Sequence, residues 1–344
     1  MKKKVFKFIG SSAAIAFAAL SLASCGSTKD SNASASADGD NTYKVGILQY
    51  VSHDALDKAT AGFKAQILAN LPEGKEVEFV VKNPEADPTA LQTMATALVR
   101  ECDLVLGNAT PAATQLIAAR ATEGKVDLPI LFTSVTDPVA ASLINPSKRD
   151  NNVTGTSDIN PVAQQIDLIF DVDSTVDKVG YLYTVSEVNS QAQCQLADEY
   201  LKATYPNVTS ETQTFAEQSG ISTAINKLVN DGCDVVYLPT DNLVAANIPS
   251  VTNVTDPAQV FTIGGEESMV AAGATITVSI NYTELGATTG DMAIDILLNG
   301  KDPDDIAVAK QTEAAKFNFA KNDKSLSACG ITLSDAFKTK YGIE

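Results

Sequence analysis

The chain has 344 residues, with 42 acidic and 25 basic side chains, so its formal net charge is −17. This balance argues against nucleic acid and against an anionic lipid surface as partners, because both attract positively charged proteins. No segment beyond the N-terminal region is apolar over a length that could span a membrane. The length is sufficient for two domains.

The N-terminal segment has the pattern of a bacterial secretion signal. Residues 2–7 carry four lysines, and residues 15–20 form an apolar run too short to span a bilayer comfortably. The segment ends in Leu22-Ala23-Ser24-Cys25, which resembles a bacterial lipobox. We predict that residues 1–24 are a lipoprotein signal peptide and that Cys25 is diacylated, which would give stable anchoring. A plain signal peptide or a membrane helix are the alternatives.

A polar segment follows the predicted lipid anchor. Residues 26–42 consist mainly of Ser, Ala, Asp, Asn and Gly and contain no large apolar side chain. Such a segment cannot bury enough surface to offset its ordering entropy, so we expect residues 25–42 to be a flexible tether. The mature chain keeps 21 basic and 42 acidic residues, a net charge of −21.

Four cysteines remain beyond the signal: Cys102, Cys194, Cys233 and Cys329. An even count in an exported protein is compatible with disulfides. No Cys-x-x-Cys pair or Cys/His cluster occurs, so the sequence predicts no metal site. Cys102 and Cys233 stand at the entry to buried strands and are interpreted as packed thiols, whereas the state of the other two stays open.

The chain contains an internal repeat. Residues 44–52 recur as residues 178–186, an offset of 134, and residues 102–106 recur as residues 233–237, an offset of 131. A solenoid repeat would be far shorter, so this period indicates two similar lobes.

Within each half, short apolar runs alternate with helical spacing. Residues 45–48 are typical of a strand covered on both faces, and Leu56, Ala59, Phe63 and Ile67 then recur at helical intervals. This alternation predicts an α/β fold of two Rossmann-like lobes with parallel sheets and right-handed crossovers.

Segments outside the repeat predict three crossings between the lobes. Residues 152–158 lead from lobe one to lobe two, a helix over residues 283–298 returns to lobe one, and residues 314–319 go back. Lobe one is expected to comprise residues 43–155 plus about 281–302, and lobe two residues 156–280 plus about 303–344. Three crossings form a hinge, and a hinge between two lobes forms a closable cleft.

In open parallel sheets, ligands bind beyond the carboxyl ends of the strands. The loops at those ends are rich in polar residues, although such residues also serve as helix N-caps. The candidate ligand-binding residues are Gln49, Asn108, Ala109, Thr110, Ser134, Thr136, Asp137, Asp158, Ser186, Asn189, Thr240, Asp241, Asn242, Glu266 and Glu267.

The residues in these loops favour a zwitterionic ligand. The chain has three arginines and none lies in these loops, which disfavours a bidentate arginine clamp on an anion. Residues 108–110 and 134–136 could hold a carboxylate. Asp158 ranks first as the partner of an ammonium because it follows the lobe crossing, ahead of Glu267 and then Asp241. Tyr50, Tyr183 and Tyr282 offer aromatic surfaces, or belong to the core.

Several motifs together give the chain a family resemblance. They are Val-Gly-Ile-Leu-Gln at 45–49 with His53, Ala55, Leu56 and Asp57; Phe-Thr-Ser-Val-Thr-Asp-Pro at 132–138; Asn-Val-Thr-Gly-Thr-Ser-Asp at 152–158; Pro-Thr-Asp-Asn at 239–242; and Gly-Glu-Glu-Ser at 265–268 with Gly273. Over about residues 43–335 the chain resembles ABC-transporter substrate-binding lipoproteins that include tryptophan-binding members. Residues 49–54 depart from this pattern, in which Glu-His-Pro is expected.

The resemblance implies a type I periplasmic-binding-protein fold and delivery of a small ligand to an ABC permease and its ATPase. By analogy alone it suggests an amino acid as ligand, with an aromatic amino acid as the narrower expectation. We expect a monomer without cofactor or enzymatic activity, lipid-anchored at the extracytoplasmic face of the cell membrane. A sensor ectodomain and an exported hydrolase are the alternatives; no Gly-x-Ser-x-Gly elbow occurs, and His53 is the one histidine.

Overall fold

The computed structural model describes residues 41–311 and 317–343. The predicted signal peptide, Cys25 and nearly all of the predicted tether lie outside these residues. The described chain forms two six-stranded sheets, each covered by helices. No helix among the described residues is long and apolar enough to cross a membrane.

Lobe one is built on the sheet of order β11-β5-β4-β3-β1-β2. Its strands are β1 Thr42–Gln49, β2 Glu76–Lys82, β3 Leu104–Asn108, β4 Ile130–Thr133, β5 Val153–Ser157 and β11 Ala309–Lys310. Its helices are α1 Asp54–Ala69, α2 Pro88–Glu101, α3 Thr110–Glu123 and α10 Tyr282–Leu297.

Lobe two is built on the sheet of order β12-β10-β9-β8-β6-β7. Its strands are β6 Lys178–Thr184, β7 Thr209–Phe215, β8 Val235–Leu238, β9 Phe261–Gly264, β10 Ile276–Ser279 and β12 Asn318–Lys321. Its helices are α4 Val162–Val172, α5 Val188–Thr204, α6 Ile221–Asn230, α7 Asn242–Ala245, α8 Ile248–Thr255, α9 Glu267–Ala271, α11 Asp323–Ala328 and α12 Asp335–Tyr341.

The predicted fold class of two Rossmann-like α/β lobes is confirmed. Val45, Ile47 and Leu48 of β1 are fully buried because helices cover both faces of the sheet. The strand pairs are parallel with one exception, since β12 pairs antiparallel with β10. That strand enters lobe two directly from the third crossing rather than through a right-handed βαβ unit, so its direction is not fixed by a crossover helix.

The lobe boundaries differ from the expected ones at two points. β11 pairs with β5, so the second segment of lobe one extends to Lys310 rather than ending near residue 302. β5 itself ends at Ser157, two residues beyond the expected first boundary at 155. Short edge strands of two residues carry too little apolar pattern to be recognised in a sequence.

The helix that starts at the second crossing packs closely on lobe one. A Cβ at Gly286 of α10 would lie 2.0 Å from the backbone oxygen of Ala59, and a Cβ at Gly62 of α1 would lie 2.2 Å from that of Thr283. Glycine at both positions therefore lets the backbones of α1 and α10 approach. This contact fixes Tyr282, the first residue of α10, beside the hinge.

The four described cysteines are free and buried. Burial raises the pKa of the Cys102 and Cys233 thiols to about 11, as expected for packed thiols. Cys194 and Cys329, whose state the sequence left open, are likewise buried without a disulfide in the described structure.

Candidate functional site

A cavity lies between the lobes, where the carboxyl ends of the two sheets face each other. The space between its walls is about 280 Å³ when the solvent at its mouth is included, but the enclosed part is so narrow that it has room for about one water molecule. Lobe one and the crossings contribute His53, Leu56, Ser134, Asp158 and Tyr282 to its wall. Lobe two contributes Asn189, Thr240, Asp241, Asn242, Ala245, Glu266 and Met269.

Two strand ends on the lobe-one side have a strained backbone. Ala109, the N-cap of α3, has φ 92° and ψ 154°, a region that is essentially restricted to glycine. Ser134, directly after β4, has φ 55°. Strained residues of this kind cost on the order of 1–3 kcal/mol each and cluster at binding sites. Both were candidate site residues, and both stand beside the start of α3, whose free N–H groups favour an anion.

Asp158 stands at the hinge end of the cavity. Its side chain is 3 % exposed, and its Oδ2 accepts a hydrogen bond of 2.7 Å from the Tyr282 hydroxyl. Burial raises the pKa of Asp158 to about 6, although the hydroxyls of Tyr282 and then Thr136 oppose the rise. Its Oδ1 is buried and has no hydrogen-bond partner among the described residues.

Two other buried carboxylates in the wall have both oxygens engaged by hydrogen bonds within lobe two. Asp241 accepts bonds from the Thr184 backbone nitrogen at 2.7 Å, the Thr184 hydroxyl at 2.8 Å and the Val244 nitrogen at 3.0 Å. Glu266 accepts from both the backbone nitrogen and the hydroxyl of Ser268. Burial raises the pKa of Asp241, and it raises that of Glu266 to about 7.

A chain of hydrogen bonds runs across the cleft from His53 to Glu187. His53 Nε2 lies 3.2 Å from Asn242 Oδ1, and Asn242 Nδ2 donates to Glu187 Oε2 at 2.6 Å. Burial and then the neighbouring Asp241 charge raise the pKa of Glu187. Asn189 uses its Nδ2 to bond the backbone oxygen of Thr240 at 2.9 Å.

Four polar atoms of the wall are buried and have no hydrogen-bond partner within residues 41–311 and 317–343: His53 Nδ1, Ser134 Oγ, Asp158 Oδ1 and Asn189 Oδ1. We call these the four open atoms. Buried polar groups are normally paired, because an unpaired one costs about 1–3 kcal/mol. Their concentration around one cavity indicates a site for a polar ligand.

Direct bonds between the lobes hold the cavity in a closed arrangement. The Thr136 and Thr240 hydroxyls lie 3.1 Å apart, and His53 Nε2 lies 3.2 Å from Asn242 Oδ1 across the same cleft.

The structure brings seven of the fifteen candidate ligand-binding residues to the cavity wall: Ser134, Asp158, Asn189, Thr240, Asp241, Asn242 and Glu266. Asn108 and Thr110 are buried at the end of β3 and the start of α3, where each has one side-chain atom without a hydrogen-bond partner in the described chain.

Other candidates lie outside the cavity wall. Gln49 forms hydrogen bonds with Asp57 and Thr60, and Asp137 caps the backbone nitrogens of Val139 and Ala140. Ser186 is exposed. Glu267 belongs to a neighbouring hollow and accepts a bond from Asn318 at 3.3 Å.

Sequence reasoning did not select five residues of the site: His53, Leu56, Ala245 and Met269 of the wall, and Glu187 behind it. Leu56 fits an ordinary apolar helix stripe, so its pattern does not distinguish a cavity wall from a core. Glu187 follows β6 between two candidates, Ser186 and Asn189, and a signal for it was therefore present. No group of three or more His, Cys, Asp or Glu side chains in the described chain is arranged to hold a metal ion.

Comparisons with known proteins identify the family. The family of ABC transporter substrate binding proteins matches residues 44–341. The tyrosine-binding protein of Clostridioides difficile strain R20291 is 33 % identical over 326 residues, covering 93 % of this chain and 91 % of that protein.

Two solved structures extend the comparison. A domain from Streptococcus pneumonia in complex with L-Trp is 30 % identical with a TM-score of 0.80, covering 88 % of this chain and 99 % of that one. A substrate-binding protein with adhesive properties from Clostridium difficile, in its ligand-free, open form, is 32 % identical with a TM-score of 0.62, covering 85 % and 96 %. The two structures have nearly equal sequence identity to this chain, but the TM-score is higher for the complex with L-Trp than for the ligand-free, open structure. This agrees with the hydrogen bonds that join the lobes across the cleft. The chain belongs to the family of ABC transporter substrate-binding proteins.

Proposed function

We propose that this protein captures an aromatic amino acid in the cleft between its lobes and delivers it to an ABC permease. The observation that carries this proposal is the buried open oxygen of Asp158 at the hinge end of the cavity. The tyrosine-binding relative and the neighbour in complex with L-Trp support the ligand class.

The ligand ammonium would bind Asp158. A buried carboxylate with an open oxygen is unfavourable when ionised, and an ammonium supplies both the missing hydrogen bond and the opposite charge. Asp241 and Glu266 are weaker candidates, because hydrogen bonds within lobe two already engage their oxygens.

The ligand carboxylate would bind the lobe-one wall. The Ser134 hydroxyl is one of the four open atoms, and the Thr110 hydroxyl begins the 14-residue helix α3. Hydroxyls together with the N-terminus of a long helix favour an anion. Leu56, Ala245 and Met269 line the same cavity and offer an apolar surface for the ligand side chain.

The decisive experiment is titration calorimetry of the domain with L-tyrosine, L-tryptophan, L-phenylalanine and L-leucine, comparing wild type with Asp158→Asn. Asparagine can still accept the Tyr282 bond, but it presents no charge to an ammonium. Removal of one partner of a buried charge pair costs about 3–5 kcal/mol, so affinity should fall at least about a hundredfold.

Asp137→Asn is the matched control. It makes the same change at another strand end beside the cleft, but Asp137 lies outside the cavity wall. Asparagine can keep the capping bond that Asp137 accepts from the Val139 nitrogen. The ligand affinity of Asp137→Asn should equal that of wild type. An Asp158→Asn affinity within about threefold of wild type, or no binding of any amino acid by wild type, would contradict the proposal.

The proposal includes anchoring of the mature protein through Cys25 at the extracytoplasmic face. The lipobox-like Leu22-Ala23-Ser24-Cys25 and the polar segment after it support this step. Cys25→Ser should release the protein from the membrane fraction while leaving ligand affinity unchanged. A mature wild-type protein that mass spectrometry finds cleaved elsewhere and free of lipid would exclude the anchor.

A further inference from the structure

His53 and Asp158 line the same cavity from different strands of the lobe-one sheet, and they are close enough for the Asp158 charge to act on the pKa of His53. Asp158 follows β5 and His53 follows β1, and the order β5-β4-β3-β1 puts β4 and β3 between the two strands. Ser134 follows β4 and Thr110 follows β3, between those strand ends. A ligand whose ammonium binds Asp158 and whose carboxylate binds Ser134 therefore extends its side chain toward His53.

The hydrogen-bond chain behind His53 fixes where the imidazole carries its proton. Glu187 Oε2 accepts both from the Asn242 backbone nitrogen at 3.1 Å and from Asn242 Nδ2 at 2.6 Å. The amide nitrogen of Asn242 therefore faces the carboxylate, and its Oδ1 faces His53. Because an amide oxygen accepts and does not donate, His53 Nε2 must be the protonated nitrogen.

The other imidazole nitrogen is then an acceptor. In a neutral ring with its proton on Nε2, Nδ1 presents a lone pair. Burial lowers the pKa of His53, which agrees with a neutral ring. Part of the side chain remains exposed, but Nδ1 itself is buried and is one of the four open atoms.

We propose that His53 is a specificity-determining residue, whose Nδ1 accepts a hydrogen bond from a donor on the ligand's aromatic ring. This inference rests on the proposed function and narrows it to aromatic amino acids with a ring donor, either a phenol hydroxyl or an indole N–H. A site built to bond such a group discriminates against an analogue without it, because the buried acceptor then stays unpaired.

The experiment compares ligands that differ only in the ring donor. Calorimetry would measure L-tyrosine against L-phenylalanine and O-methyl-L-tyrosine, and L-tryptophan against 1-methyl-L-tryptophan. Wild type should bind the better donor ligand at least about tenfold more tightly than its matched analogue. Whether tyrosine or tryptophan binds more tightly distinguishes the two sources of the donor.

Three variants assign the discrimination to His53. His53→Leu removes the acceptor and should reduce the preference for the donor ligand to within about twofold, with L-phenylalanine still bound. His53→Gln can donate to Asn242 and offer an oxygen to the ligand, so it should restore part of the preference. Ser52→Ala changes an exposed side chain of the same loop and should leave the preference at its wild-type value.

Retained binding of L-phenylalanine by His53→Leu is the check that the variant folds and closes. A wild-type preference that persists in His53→Leu overturns the inference. An equal loss of affinity for donor and donor-free ligands is one form of that result, because it is the effect expected from losing the His53–Asn242 contact alone. Wild type that binds aromatic amino acids without a donor preference overturns this inference alone. Wild type that binds no amino acid overturns the proposed function as well.

Discussion

Asp158 and Asp241 are the same residue type at the same kind of position, yet they differ in what surrounds them. Each follows a buried strand at the cleft, each is almost fully buried, and burial raises the pKa of each. Asp241 accepts three hydrogen bonds of 3.0 Å or less from Thr184 and Val244. Asp158 accepts one such bond, from Tyr282, and interacts more weakly with the Thr136 hydroxyl. Among the described residues, the open oxygen is found on Asp158 and not on Asp241. The Asp241 carboxylate is part of the hydrogen-bonded structure of lobe two, whereas the Asp158 carboxylate has an oxygen available to a ligand.

The largest expected effect is on stability, and it separates the two aspartates. Asp241→Ala leaves two backbone nitrogens and a hydroxyl buried without their acceptor, so the free energy of unfolding should fall by roughly 2–5 kcal/mol. Asp158→Ala leaves one hydroxyl without its acceptor and removes an uncompensated charge, so it should change far less. Urea denaturation of both ligand-free variants makes the measurement. Equal losses would show that Asp158 is as structural as Asp241.

The second prediction concerns pH and the ligand-free protein. The pKa of Asp158 is raised from 3.8 to about 6 on folding, so its contribution to stability is fully present below pH 4 and is lost as pH rises through 6. Asp158→Asn does not titrate. Its stability relative to wild type should therefore increase between pH 4 and pH 7, by on the order of 2–3 kcal/mol.

Thermal or urea unfolding at several pH values tests this directly. Glu266, with its pKa raised to about 7, also faces Asp158, so Glu266→Gln serves as the comparison. The difference in stability between Glu266→Gln and wild type should change over a pH range about one unit higher, because the pKa of Glu266 is about 7 and that of Asp158 about 6. A constant stability difference between Asp158→Asn and wild type across the range would mean that Asp158 keeps its ordinary pKa.

The comparison also defines how far the sequence could predict this protein. The strands and most helices are encoded locally, by apolar runs and by caps such as Asp87 before α2, which bonds the nitrogen of Ala90. The difference between Asp158 and Asp241 is not local. Thr184 stands 57 residues before Asp241, and Tyr282 stands 124 residues after Asp158. Only the folded arrangement determines which carboxylate has its acceptor capacity filled.

His53 illustrates the same limit. In the sequence it is a lone histidine in a loop, which is most often an ordinary surface residue. Its partner Asn242 is 189 residues away, in the other lobe. The repeat indicated that two lobes would face each other, but no local pattern indicated which side chains would meet across the cleft.

The smallest expected effect concerns the contact between the Thr136 and Thr240 hydroxyls. The Thr240 hydroxyl donates to Gln193 Oε1 at 2.7 Å, because Gln193 Nε2 is turned toward Tyr237. The Thr136 hydroxyl, which also interacts with the Asp158 carboxylate, lies 3.1 Å from that of Thr240. This bond forms only when the lobes are closed, so it favours the closed, ligand-binding arrangement by about the net value of one hydrogen bond.

Thr136→Val removes that hydroxyl at nearly constant volume, and ligand affinity should fall about twofold to tenfold, corresponding to about 0.5–1.5 kcal/mol. Thr136→Ser keeps the hydroxyl and should restore the wild-type affinity. Calorimetry with the same amino acid for all three proteins makes the comparison. A loss in Thr136→Val as large as that of Asp158→Asn would mean that the threonine binds the ligand itself. No loss would mean that the lobes close without help from this bond, leaving closure to the ligand and to the contact between His53 and Asn242.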